Sequence, residues 1–186
     1  MKKYITILLL SVVCFSCIIK KPKQFIYPYD GENTGLDSLI NIDGYYSKLG
    51  YADKILLFYR DGIFISNNFR DTAFASKKIV KVDTLKNSYE HSWYKGLHGR
   101  YIIKDDSILA QDIVYTFTDG SNAYTNKYKI ISKDTIFDTL EKKTYVFHSL
   151  PNRIDSANWL FKKKWFYKDK ELYKQMKKAR KNKSPN

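Results

Sequence analysis

The chain has 186 residues, 44% of them apolar and 28% charged, long enough to bury the core of one domain. Lys and Arg number 33 against 19 Asp and Glu, for a formal net charge of +14. Its two cysteines, Cys14 and Cys17, both lie near the N-terminus, which removes a disulfide framework, a cysteine zinc site and a cysteine nucleophile from everything that follows.

Residues 1–16 open with Lys2 and Lys3, run apolar from Ile5 to Val13, and end in Ser16 ahead of Cys17. That is the three-part layout of an export signal. The apolar run is about half of the roughly 20 residues needed to span a bilayer, so it suits translocation better than permanent anchoring. A soluble secreted protein, cut by the ordinary signal peptidase, is the less favoured alternative. The stretch also resembles the lipobox of bacterial lipoproteins, with Ser16 before the cut and Cys14 where that motif most often has Leu. The resemblance implies a diacylglyceryl group on the Cys17 thiol and cleavage between Ser16 and Cys17. Ile18 stands where an inner-membrane retention signal would have Asp, so resemblance to sorted lipoproteins implies the outer membrane; the periplasmic and outward faces both stay open.

Residues 17–35 carry Pro22, Pro28, Gly31 and Gly35 without an apolar period and predict a lipidated tether. Fully extended, it reaches roughly 50 Å at about 3.3 Å per residue. The sequence GLDSLINI then predicts one helical turn.

From Gly44 to Leu150, runs rich in Tyr, Phe, Ile and Val alternate with Asp, Gly, Asn and Ser, which predicts antiparallel strands. They fall at 45–49, 54–60, 63–67, 78–85, 99–104, 107–117, 123–132, 135–140 and 143–149. Asp61-Gly62, Asp105-Asp106 and Lys133-Asp134 predict tight turns. No helical pattern long enough for a crossover interrupts the runs, so a meander is expected. Closing it into a barrel removes both edges. Tyr101 and Ile103 share one parity, as do Tyr128 and Ile130, and these faces are expected to look inward. After Pro151, NWLFKKKWFY predicts a last strand, which ends the barrel domain (36–167). The basic tail, 168–186, predicts a helix over 168–181 with Leu172, Tyr173 and Met176 on one side. Residues 162–183 hold eleven Lys or Arg against Asp169 and Glu171, so the basicity belongs to the tail.

Residues 36–181 resemble the lipocalin-like β-barrels of small bacterial lipoproteins. The resemblance rests on Gly44-Tyr45-Tyr46, similar to the G-x-W opening of a first lipocalin strand with Tyr46 in place of Trp, on the meander, and on the terminal helix. The fold class expected is therefore mainly β: an antiparallel meander closing into a lipocalin-like barrel with a C-terminal α-helix. The resemblance implies a small apolar or amphipathic ligand in the interior. By alternation, Tyr46, Tyr101, Ile103, Tyr128, Ile130, Tyr145 and Phe147 line it; the same residues form a plain core if the barrel is filled.

Seven triplets read Asp, Ser or Thr, apolar, with hydroxyls at Ser38, Thr72, Thr84, Ser107, Thr135, Thr139 and Ser156, where ordinary composition gives about one. Asx-turn chemistry before a strand explains them simply. They are also similar to an O-glycosylation sequon used on exported proteins in one Gram-negative phylum, which implies glycans on exposed turns.

The three histidines, His91, His98 and His148, match no metal spacing and are expected at surface or turn positions, so no metal or cofactor is expected. There is no G-x-S-x-G elbow and no Gly-rich phosphate loop, and a binding protein is expected rather than an enzyme. The basic tail carries Trp159, Trp165, Phe166, Tyr167 and Tyr173 beside its lysines. Export argues against nucleic acid as its partner and for anionic lipid or an acidic face of an envelope protein. A second class of function follows, an inhibitor or structural lipoprotein that docks without a barrel ligand.

Overall fold

The computed structural model describes residues 20–49, 54–68, 97–116, 120–150, 156 and 158–183. Eight strands follow in chain order: β1 (Gly44–Lys48), β2 (Lys54–Phe58), β3 (Ile63–Asn68), β4 (Leu97–Lys104), β5 (Ser107–Thr116), β6 (Gly120–Ser132), β7 (Thr135–Asp138) and β8 (Lys143–Ser149). Each pairs antiparallel with the next, and β8 returns to β1 from Gly44 opposite Ser149 to Lys48 opposite Tyr145. The fold is a closed eight-stranded meander barrel with a C-terminal helix, as the strand pattern predicts. Each expected run between 45 and 149 that falls within the described residues is present as a strand; the expected run 78–85 lies outside them.

The turns explain the register. Lys104 pairs Ser107 and Ser132 pairs Thr135, so Asp105-Asp106 and Lys133-Asp134 each make a two-residue connection. Asp105 takes φ 54°, the left-handed conformation that Asp tolerates better than most residues. Gly62, at φ 80°, turns β2 into β3. Gly99 serves a different end, since a Cβ there would overlap the Gln111 carbonyl and the Phe64 ring.

One parity of the strands faces inward. Tyr46, Leu56, Phe58, Phe64, Tyr101, Ile108, Ala110, Tyr128, Ile136 and Tyr145 form one buried cluster. The helical turn α1 (Leu36–Leu39), expected from GLDSLINI, feeds Leu36, Ile40 and Ile42 into the same cluster and closes one end of the barrel. There the Tyr46 hydroxyl donates to the carbonyls of Asn41 (2.9 Å) and Lys133 (2.8 Å). The Tyr101 hydroxyl meets the Tyr59 carbonyl at 2.6 Å and Thr34 Oγ1 at 2.8 Å.

The other parity of β1 to β3 is buried too. Tyr45, Ile55, Leu57, Tyr59, Ile63 and Ile65 meet a second cluster, built from both ends of the described chain. Two 3-10 helices, Trp159–Lys162 and Lys164–Phe166, supply Leu160, Phe161 and Phe166. A last strand is expected at these residues. With β8 already paired to β1, no free edge remains for one, and the aromatic side chains cover the outer wall instead. Helix α2 (Lys170–Lys183) is capped by the Asp169 carboxylate, which accepts from Leu172 N at 2.8 Å. As the spacing predicts, Leu172, Tyr173 and Met176 pack against the domain.

The segment expected to be a free tether is attached to that wall from Phe25 onward. Phe25 and Tyr29 are buried, and Tyr29 stacks at 5.6 Å on Phe166. Tyr29 N donates to the Phe166 carbonyl and Lys168 N to the Tyr29 carbonyl, both at 2.8 Å, a parallel bridge between the two ends of the domain. Gln111, outward on β5, binds the same strap: its amide donates to the Gln24 carbonyl (2.7 Å) and accepts from Ile26 N (2.9 Å). Aromatic spacing without a period hides such a strap in sequence, because burial here follows the wall it lies on.

Candidate ligand site at the polar end of the barrel

Toward the end where β2 begins and β7 finishes, the inward parity changes from apolar to polar. On β5 it runs Ile108, Ala110, Asp112; on β6, Tyr128 and Asn126; on β7, Ile136 and Asp138. Lys54 of β2, Ser66 of β3 and Lys143 of β8 follow the same parity. Asp112 is 5% exposed and Asp138 is fully buried, placing two carboxylates inside a β-barrel.

Their hydrogen bonds are half filled. Asp112 Oδ2 accepts from Asn126 Nδ2 at 2.7 Å, while its Oδ1 has no partner. Asp138 Oδ1 accepts from the backbone of Leu140 (2.9 Å) and Glu141 (3.0 Å), and its Oδ2 has none. The Tyr128 hydroxyl and Ser66 Oγ, both on fully buried residues, are also unpartnered. Each such buried group costs free energy until something pairs with it, about 1–3 kcal/mol, so water or a ligand belongs there.

Electrostatics tie these groups together. Burial pushes the Asp112 carboxyl up to about 7, against the opposing pull of Lys54 and of the Asn126 hydrogen bond. The Tyr128 phenol is driven far above its ordinary range by burial, and further by the negative charges of Asp112 and Asp138. Lys54 and Lys143 both bridge to Glu141, at 3.1 and 2.7 Å, and the Lys143 hydrogen bond chiefly holds Glu141 below the usual carboxylate range. The site therefore presents acceptor oxygens beside aromatic faces: Tyr128 lies 6.2 Å from Phe58 and 6.1 Å from Tyr145, both nearly perpendicular to it.

All seven residues chosen by alternation belong to the interior cluster: Tyr46, Tyr101, Tyr128 and Tyr145 are buried, and Ile103, Ile130 and Phe147 pack partly buried against them. Tyr46 and Tyr101 commit their hydroxyls to the closed end. Tyr128 reaches the polar end, together with Asp112, Asp138, Asn126 and Lys54, which the alternation argument passed over. The available signal was a polar residue on an apolar parity, as in Ile108, Ala110, Asp112.

His98 corrects one expectation. It is buried on β4, at 1% exposure, with Ile65 and Ile113 as cross-strand partners, rather than at a surface or turn. His148 is half-buried, bonded to Ser47 Oγ at 2.9 Å and stacked on Tyr45, and loss of solvent lowers its pKa. Among the described residues, no three His, Cys, Asp or Glu side chains gather as a metal site, and no helix is long and apolar enough to cross a membrane. His91, Ser16, Cys17, Thr72 and Thr84 lie outside the described residues.

The remaining triplets divide by burial. Ser38 is exposed and donates to the Gly35 carbonyl at 2.8 Å. Thr135, Thr139 and Ser156 are half-buried, and Thr139 Oγ1 donates to the Lys127 carbonyl. Ser107 is buried against Asp106 Oδ1 at 3.0 Å, and Asp138 makes the Asx turn already described. The Asp138 triplet thus makes the Asx turn expected of such sequences. No family model, curated protein or solved structure matches the chain.

Proposed function

We propose that the chain is an envelope lipoprotein, anchored in the outer membrane by a lipid on Cys17, whose barrel binds a small amphipathic molecule and acts by binding rather than catalysis. The observation that carries the ligand reading is the set of unpartnered polar atoms, on Asp112, Asp138, Tyr128 and Ser66, inside a barrel otherwise lined by aromatic and aliphatic side chains. An apolar body would lie against Phe58 and Tyr145, and a polar head would meet the carboxylates. A neutral naphthylamine dye is expected to bind the full chain in a saturable 1:1 manner. Ala110→Trp, which fills the interior beside Asn126, is expected to abolish that binding; equal binding by a folded variant would refute the barrel site. The anchor has its own readout, since incorporation of labelled palmitate is expected in the parent and lost in Cys17→Ser.

A second reading, docking on anionic lipid, is supported by the strap. Lys20, Lys21 and Lys23 are exposed, and Phe25 lies 5.6 Å from Trp165, which brings them beside exposed Lys162 and Lys164. Seven residues separate Cys17 from Phe25, and the eight steps reach about 26 Å rather than the full tether. Each Lys or Arg near a charged membrane adds about 1 kcal/mol. Without its anchor, the Cys17→Ser chain is expected to sediment with vesicles containing phosphatidylglycerol, not with phosphatidylcholine alone, and to be released by high salt. An envelope protein with an acidic face would bind in place of lipid if neither vesicle retains the chain. Among the described triplets, exposed Ser38 is the hydroxyl best suited to carry a glycan.

A further inference from the structure

We infer that the polar end of the barrel receives a positively charged, hydrogen-bond-donating head group, an ammonium on an apolar tail, held by Asp112, Asp138 and Tyr128. The inference rests on the barrel-binding reading and specifies its ligand class. Three points carry it.

The first is the chemistry of the unpartnered oxygens. Asp112 Oδ1 and Asp138 Oδ2 accept no hydrogen bond. Ionised carboxylates only accept, so the complementary group must donate. An alkylammonium has up to three N–H donors on a compact centre, and the Tyr128 hydroxyl can accept as well as donate. A carboxylate or phosphate head would bring further acceptors against two carboxylates.

Charge is the second. The groups facing this end are Lys48 of β1, Lys54 of β2, Asp112 of β5, Asn126 and Tyr128 of β6, Asp138 of β7, Glu141 of the following turn, and Lys143 and Tyr145 of β8. Lys54 and Lys143 make their ion pairs with Glu141. Asp112 and Asp138 have no salt bridge among the described residues, and a cationic ligand supplies one once Asp112 is ionised, above about pH 7.

The third is the aromatic lining. Tyr128, Phe58 and Tyr145 offer faces and edges within one ring width of each other. A cation beside such faces is favoured over a neutral group of the same shape, and the tail continues toward Ile136 and Leu56.

Titration of the full chain in detergent micelles with octylamine, 1-octanol and octanoate, by calorimetry against protein-free micelles, tests the class. Octylamine is expected to saturate at 1:1 and to bind at least tenfold tighter than octanol, with octanoate weaker still. Asp112→Asn and Asp138→Asn are each expected to cut the amine preference about tenfold, with Tyr128→Phe intermediate and melting curves confirming that each variant is folded. Octylamine affinity should rise between pH 6 and 8 as Asp112 ionises, and Asp112→Asn should flatten that rise. If octanol or octanoate binds as tightly as the amine, the ligand class is wrong while the barrel still binds. If none of the three saturates, the barrel-binding reading fails with it. Unchanged amine binding in both folded Asn variants also overturns the assignment.

Discussion

Asp112→Asn is expected to melt higher than the parent at pH 8, with the difference vanishing near pH 4. In the folded chain burial pushes the carboxyl up to about 7, from the ordinary 3.8 that holds once it is exposed. The folded state therefore binds the proton more tightly than the unfolded state. Relative stability is fully present below about pH 4 and is lost as pH rises through about 7, where a charge must be kept inside the barrel. Asn retains an acceptor for Asn126 and carries no charge. Three pKa units set a ceiling of about 4 kcal/mol, and on the order of 2–4 kcal/mol for a domain of this size corresponds to roughly 5–15 °C. Thermal melts of parent and variant from pH 4 to 8.5, followed by circular dichroism, check it. Parallel curves would mean that Asp112 is solvated in the folded chain.

The second large effect concerns Arg100, which faces outward from β4 yet is 2% exposed. Its guanidinium donates to the Asp61 carbonyl and to Asp30 Oδ1, both at 2.6 Å, and lies 5.6 Å over the Tyr29 ring. It joins the β2 to β3 turn to the N-terminal strap. Gly62 completes the arrangement, since a Cβ there would occupy the guanidinium's place. Arg100→Ala removes both hydrogen bonds and leaves the Asp61 carbonyl and the Asp30 carboxylate to find other partners, at a cost of about 3–5 kcal/mol. Arg100→Met, which keeps the side-chain volume without the charge, should recover part of that loss. Urea midpoints for the three chains give the ranking, and protease cleavage within residues 20–30 should accelerate most in Arg100→Ala.

The barrel itself was legible because short β-rich runs broken by Asp and Gly admit few alternatives to a meander. Asp105-Asp106 and Lys133-Asp134 even fixed the register of two hairpins. Tyr128 and Tyr145 could be assigned inward from their alternation with Lys127, Lys129 and Val146. Alternation distinguishes two faces without saying whether the second is also covered. On β2, Ile55, Leu56, Leu57 and Phe58 are all buried, the odd ones by the strap and tail and the even ones by the barrel. Neither Phe25 nor Tyr29 announces the wall it will meet, and Arg100 resembles any exposed strand arginine until the strap is in place. Asp112 and Asp138 were hidden for another reason: Asp in this chain is so common before turns that an inward one does not stand out.

The parallel bridge between Tyr29 and Tyr167 also has a bearing on the order in which the chain folds. Contacts between such distant positions require the longest loop closure in the domain, so they form after the hairpins that create the wall beneath them. Interactions absent from the folding transition state act mainly on the reverse rate. The strap is thus a latch in time, expected to leave the speed of barrel formation almost unchanged while setting how long the closed barrel lasts before it opens.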